Sequence, residues 1–463
     1  MKPYIRLLSA AAAAVLLMAT LAGCKTPAAS DPVTSEKDEN NISFGGKTLK
    51  IAAWDEGTIP ELGKTTGGDA AYYALEQAKE KFDVEVEWII TTQEDHFSKF
   101  VQTSLAGQTY ADILLTHSWN HVSQIQQGLL VPTDKYLSEA EDADKWDTLL
   151  CKIGDVCYGL SPKDSVTLPQ FNLFYNRTIL ESLSLQDPQE LALNGEWTWE
   201  KFREYCKAAT DVSKNRFGVS AFGLMDVLNS TNNCATVVYD STDKKYYNGF
   251  THEPEAKRNL EVLEFIQTLA KDGSLMGEWV QGAEAMDDAL NGFLDGQLLF
   301  QYAQDGAKLK KYDMTGFGVV TAPMGPSSDG KLYNQTASYV YWSLPKASSF
   351  SPDDRAAFWM YANTTWDSER GNAYYEFEVD EYKEDLLADQ YDTAKDVQFL
   401  FDIADKCGVV KTPSLDLAVS LGALVANDIF GEVIRGNATP ASAIATKDNE
   451  IQAKIDAALN TSK

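Results

Sequence analysis

The stretch 157–177 limits what the chain can fold into more than any other. An apolar strand ends at Leu160. A polar run follows, Lys163-Asp164-Ser165-Val166-Thr167, bracketed by Pro162 and Pro169. Proline fixes φ and has no backbone N–H, so neither a helix nor a central strand continues through this segment. A second strand then runs through Phe171, Leu173 and Tyr175. Upstream, strands and helices alternate; downstream, the pattern starts again. The chain is therefore expected to cross here between two lobes, with function placed at the crossing. The length, 463 residues, also exceeds what one ordinary core holds together.

The upstream pattern is strand–helix–strand. Strands are expected over 48–54, 84–90 and 111–115, and helices over 69–82, 96–106 and 118–127. Ala71, Ala74, Leu75, Ala78 and Phe82 recur at helical spacing, and Val84, Val86, Trp88 and Ile90 alternate as a strand does. Such repetition builds an α/β lobe around a mostly parallel sheet. Ligands of such sheets sit beyond the carboxyl ends of the strands. Those ends carry Trp54-Asp55-Glu56 and Thr116-His117-Ser118-Trp119. Downstream, helices are expected over 199–209, 254–270, 283–294, 353–366, 415–435 and 447–459, and strands over 296–302, 317–321 and 337–344. Residues 376–392 read as acidic and irregular.

The formal charge of −28 disfavours nucleic acid and anionic lipid surfaces as partners. It says nothing direct about a small ligand. At the N-terminus, Lys2 and Arg6 precede an apolar run over 7–21, which is short for a spanning helix. The run ends in Leu21-Ala22-Gly23-Cys24, which resembles a bacterial lipobox. The resemblance implies that residues 1–23 are a signal peptide and that Cys24 carries a lipid and becomes the mature N-terminus. Residues 25–46 bury almost nothing and read as a flexible tether. The remaining cysteines, Cys151, Cys157, Cys206, Cys234 and Cys407, would face an oxidising exterior. Cys151 and Cys157 flank a turn at Gly154-Asp155 and are placed to face each other across a hairpin; Cys206 with Cys234 is a weaker pairing.

Several phrases then fall in one order: a strand ending at Trp54, Gly107-x-x-x-Ala111-Asp112-Ile113, Gly128-Leu129-Leu130 and Gly154-Asp155-Val156-Cys157-Tyr158-Gly159-Leu160. Leu173-Phe174-Tyr175-Asn176-Arg177, Trp197-Thr198-Trp199-Glu200-Lys201-Phe202, Phe317-Gly318-Val319-Val320 before Pro323, and Trp342-Ser343-Leu344-Pro345-Lys346 follow. Together they resemble the extracellular solute-binding proteins of bacterial ABC importers, in the group that includes maltose-binding protein. The resemblance implies a two-lobed periplasmic-binding-protein-like α/β fold whose hinge is crossed more than once. It places the first lobe at 47–161 and 345–390, the second at 168–338 and 391–463, and crossings at 162–167 and 339–344. It implies a monomer on the outer face of the cell membrane, an ABC permease as partner, a carbohydrate ligand and no cofactor. Ala111 stands where the family usually has proline, and the loop 161–169 is longer than a hinge needs.

Sugar recognition needs aromatic faces for C–H surfaces and planar polar groups for hydroxyls. Candidates from the first lobe are Trp54, Asp55, Glu56, His117, Trp119 and Asn120. The first crossing offers Gln170 and Asn172, with Phe171 and Leu173 alternating into the core. The second lobe offers Asp226, Asn229, Tyr302, Gln304 and Asp305, and the second crossing Tyr339, Tyr341 and Trp342. The plainer reading of these aromatics is packing, and Trp88, Trp199 and Trp359 are assigned to cores on that ground. His117 and His121 are spaced for one helix face, but no third metal-ligand cluster accompanies them. A carboxylate box of Asp55, Glu56, Asp226 and Asp305 keeps a polyamine or other cation open as ligand. A surface glycoside-degrading enzyme and a non-transport sensor or adhesin also stay open.

Overall fold

A computed structural model of the chain describes residues 42–64, 66–139, 146–147, 151–162, 168–169, 172–278, 282–303, 306–335, 340–363, 369–404, 406–410 and 420–460. The stretch expected as a signal peptide, Cys24 and most of the stretch expected as a tether lie outside them. The first lobe begins β1 (Lys47–Ala53), α1 (Thr66–Phe82), β2 (Val84–Ile90), α2 (Gln93–Leu105), β3 (Ile113–His117), α3 (Ser118–Gln126). The three strands are parallel, with Ile51 of β1 opposite Trp88 on one side and Ile113 on the other. Every residue of the central β3 is buried, because both its faces are covered. Ala52 and Leu114 pack on Phe100, Ile125, Leu129 and Leu130. Thr92 caps α2 by accepting the Asp95 amide at 3.3 Å, and Gly107 and Gly128, at positive φ, end α2 and α3.

The chain then leaves this lobe along the edge of its sheet. Leu160 donates its amide to the Trp342 carbonyl at 2.7 Å. Cys151 and Cys157 are joined across a short hairpin, with Cα atoms 5.4 Å apart. Cys206 and Cys234, the weaker pairing, are instead free buried thiols.

The second sheet contains β4 (Asn172–Asn176), β5 (Phe217–Ser220), β6 (Leu275–Met276), β7 (Leu298–Ala303) and β8 (Phe317–Thr321), in the order β6-β5-β7-β4-β8. β5, β6 and β7 are parallel, whereas β4 runs antiparallel to both β7 and β8. Among its helices, α4 (Trp199–Ala209) is capped by Thr198, α5 (Leu224–Thr231) follows β5, and α6 (Glu255–Lys271) precedes β6.

β9 (Val340–Ser343) returns to the first sheet, antiparallel to β3, giving the order β9-β3-β1-β2. The segment expected as the second crossing is thus itself a strand of the first lobe. The chain changes lobes between Thr321 and Val340. α7 (Pro352–Asn363) packs on α1. The stretch 376–392 is not irregular: α8 spans Glu369–Asp389. Its Glu and Lys residues are good helix formers, and among its described side chains Asp380, Glu384 and Asp385 are exposed while Leu386 is buried. α8 touches α1 of the first lobe and α9 (Ala394–Ala404) of the second, so it forms a third bridge between them. The expected helix 415–435 is described from Gly422 onward, with a π-helical stretch at Val425–Gly431. The last helix, α10 (Pro440–Leu459), starts before the expected 447 because Thr439 and Ser442 cap it reciprocally.

Candidate ligand-binding site

At the carboxyl end of the first sheet, Trp54 follows β1 and is half-buried. Its ring lies 5.3 Å from His96, 5.3 Å from Phe97 and 6.2 Å from His117. His96 Nε2 sits 2.8 Å from the Leu115 carbonyl, which fixes it as the donor nitrogen. Burial lowers the pKa of both His96 and His117, so both rings are neutral at neutral pH. The rim of the first lobe is thus an aromatic face of half-buried Trp54 and Phe97, backed by the buried neutral rings of His96 and His117. His96 and Phe97 were absent from the candidates read off the sequence. They lie on the first turns of α2, and only the packing of α2 on β1 brings them to Trp54.

Asp55 and Glu56 are exposed. The Asp55 carboxylate accepts the Gly57 amide at 2.9 Å and caps a short 3-10 turn. Asn120 is half-buried in the first turn of α3. The side chain of Trp119 lies outside the described residues, as do Gln170, Phe171, Gln304, Asp305 and Tyr339.

The matching edge of the second lobe is formed by the ends of β5, β6, β7 and β8 and the start of β4, where Asn172 pairs with both Ala303 and Thr321. Tyr302 is 7% exposed, and its ring lies 6.2 Å from Phe222. Gly223 is required beside it: its φ is +68°, and a Cβ there would meet the Tyr302 ring at 1.9 Å. Phe222 was also missed; the Phe-Gly pair opening α5 was its only sequence signal. Asp226 and Asn229 are half-buried on α5. Asn172 is fully buried and donates its amide to the Pro169 carbonyl at 2.7 Å. All five residues of β4 are buried, so alternation along this strand does not separate a cleft face from a core face.

Of the candidates from the second crossing, Tyr341 is buried in packing, whereas Trp342 is half-buried. The Tyr341 ring stands 5.0 Å from His121, and any side chain at Gly159 would collide with it. The Trp342 ring lies 4.7 Å from Trp359 and 6.1 Å from Trp88. Trp199 and Trp359 are core residues, whereas Trp88 is half-buried. His117 ends a strand while His121 lies within α3, so the two are not on one helix face.

No curated protein sequence matches this chain. Solved structures share its fold. A cyclo/maltodextrin-binding protein solved with maltotetraose superposes with a TM-score of 0.57 at 15% identity, over 88% of this chain and 97% of that one. The maltose-binding periplasmic protein of Listeria monocytogenes, solved with maltose, gives 0.59 at 15% identity, over 90% and 100%. A sugar transporter of Rhizobium etli in an open conformation gives 0.58 at 14% identity, over 89% and 99%. The family model for bacterial extracellular solute-binding proteins matches residues 63–349, more than half of the chain, and the chain belongs to that family.

Proposed function

We propose that the protein is a carbohydrate receptor, tethered by a lipid on Cys24 to the outer face of the cell membrane, which hands its ligand to an ABC permease. The observation that carries this reading is the pair of aromatic edges facing the strand ends of the two lobes. Trp54 with Phe97 and His117 forms the first, Tyr302 with Phe222 the second. Tilted aromatic rings of this kind suit the C–H faces of pyranoses, with Trp54 and Phe97 half-buried at the surface and the buried histidines packed behind them. Solved proteins of the same fold hold maltotetraose and maltose, which supports an oligosaccharide over a single sugar. The ligand touches both lobes only when they close, and closure exposes the surface a permease reads. No covalent chemistry takes part.

A cationic ligand is the weaker reading. One of its four carboxylates, Asp55, is engaged in capping its own turn.

The test is a thermal-shift panel of glycans, polyamines and amino acids. A ligand at 100-fold its Kd stabilises the folded state by ~2.7 kcal/mol. Stabilisation by oligosaccharides supports the proposal. Stabilisation by polyamines alone, or turnover of a glycoside, overturns it. Globomycin-sensitive processing and loss of membrane retention in Cys24→Ala check the anchor.

A further inference from the structure

The rims of the two lobes share a charge pattern as well as their aromatic rings. In the first lobe the chain leaves the strand ends through 54–63 after β1, 91–96 after β2 and 117–121 at the end of β3. In the second lobe it does so through 221–227 after β5, 277–286 after β6 and 322–330 after β8. None of these six segments contains a lysine or an arginine, and neither does 304–307 after β7. Carboxylates stand in both lobes. Asp55, Glu56 and Glu94 are exposed in the first, and in the second Glu278 is exposed and Asp226 half-buried.

The cations next to these segments are spoken for. Lys64 lies 2.6 Å from Glu61, and Lys99 lies 3.0 Å from Asp95. The rim histidines His96 and His117 are buried and neutral, so they add no positive charge. Lys163 of the first crossing lies outside the described residues. Helix N-termini at a rim attract anions, but the first turns of α2 and α5 already hold Glu94, Asp95 and Asp226.

An acidic glycan brought to such a rim loses hydration from its carboxylate or sulfate. It meets no guanidinium or ammonium from these segments to replace that water. It meets fixed charges of its own sign instead, in a chain whose formal charge is −28. An uncharged glycan of the same shape meets neither cost. The aromatic edges hold both kinds of sugar ring alike, so discrimination falls to the carboxylates.

We propose that the site selects uncharged glycans against acidic ones, and that Asp55, Glu56 and Asp226 set this selection. The proposal rests on the carbohydrate reading of the site and narrows its substrate class: uronates and sulfated or phosphorylated glycans are refused. Because the refusal is electrostatic, salt weakens it.

The test is calorimetric titration at low ionic strength with matched pairs. Each pair is a neutral oligosaccharide and its uronate or sulfate counterpart of the same length and linkage, 1,4-linked galactotetraose with tetragalacturonate among them. Wild type is expected to bind the neutral member at least about tenfold tighter, with a smaller gap at high salt. In Asp55→Asn/Glu56→Gln and in Asp226→Asn the gap is expected to narrow by about three- to tenfold, the effect of a like charge a few ångströms away in water. These substitutions keep the size of each side chain and, at Asp55, the oxygen that caps the turn. An acidic member that binds as tightly as its neutral partner overturns the selection. A gap unchanged in both variants overturns its assignment to these carboxylates. Binding of acidic members alone overturns the selection and leaves the carbohydrate reading standing, whereas binding of no member of any pair overturns both.

Discussion

Asp396 in the second lobe is fully buried and fully answered. Arg177 Nη2 lies 2.7 Å away, Gln189 Nε2 2.8 Å and Thr393 Oγ1 2.7 Å, with backbone amides in addition. In the first lobe, His121 Nε2, both amide atoms of Gln124 and the Tyr341 hydroxyl are buried without a partner among the described residues. Arg355 and Asp112 there are as well provided: Arg355 donates to the Asp112 and Pro345 carbonyls at 2.8 Å, and the Asp112 carboxylate accepts the Lys50 amide at 2.8 Å and the Ser348 hydroxyl at 2.5 Å. A buried polar group without a protein partner calls for water or costs its desolvation. The second lobe has such atoms too among the described residues, including Asn172 Oδ1, Gln189 Oε1, Asn259 Oδ1, Gln301 Oε1 and Thr321 Oγ1, so the contrast is between the site of Asp396 and that of His121, Gln124 and Tyr341 rather than between whole lobes.

The sharpest way to break this contrast is to remove its best example. Asp396→Ala leaves Arg177 without its buried partner and is expected to cost about 3–5 kcal/mol in urea unfolding. Gln124→Leu, which removes an unanswered amide, is expected to be neutral or stabilising. Equal losses from the two would abolish the distinction.

Glycines give a second, smaller contrast. Gly223→Ala would place a methyl 1.9 Å from the Tyr302 ring, and a cost of about 2–3 kcal/mol is expected together with weaker ligand binding. Gly107→Ala also has positive φ but meets nothing within 4 Å, so only the backbone term of about 1 kcal/mol is expected. Calorimetric unfolding of both checks this.

At the rims, Trp54→Ala is expected to weaken oligosaccharide binding about tenfold, the loss of one stacking face. Fluorescence or calorimetric titration reads the effect, and binding unchanged from wild type would move the site away from β1.

The smallest effect is one of pH. Burial lowers the His121 pKa to about 3, so the unfolded chain binds a proton near pH 6 that the folded chain refuses. Its contribution is complete above the ordinary histidine pKa and falls as the pH drops, by about 1 kcal/mol between pH 6.5 and 5.5. His121→Phe is expected to flatten that part of the stability profile. An unaltered slope would show that His121 is not the group refused.

Much of the architecture is legible in local pattern. The helices over 199–209 and 283–294 and the strand over 317–321 agree with the structure residue for residue. In each, periodicity and end signals coincide: Thr198 caps the first, and Gly282 precedes the second. The helix Glu369–Asp389 was not legible, because an acidic run satisfies helix and solvated loop alike until α1 and α9 pack against it. The facing of Tyr341 and Trp342 was equally hidden. Strand alternation separates neighbours onto two faces but does not say which face is rim and which is core, and here β3 and α7 decide.

The sequence by itself determined an α/β lobe of strand–helix–strand repeats, a break near Leu160, and a turn across which Cys151 and Cys157 could meet, while the second α/β lobe was what the family resemblance implied. The first three follow from short-range periodicity, proline sterics and turn chemistry, which act within a few residues. The tertiary structure alone decided that β9 belongs to the first sheet, that His96 and Phe97 join Trp54, and that the hairpin tip docks on Tyr239 and Tyr246. Each of these joins residues far apart in the chain, and such contacts form only after chain entropy has been spent on bringing the ends together. No local signal records which partner is met there.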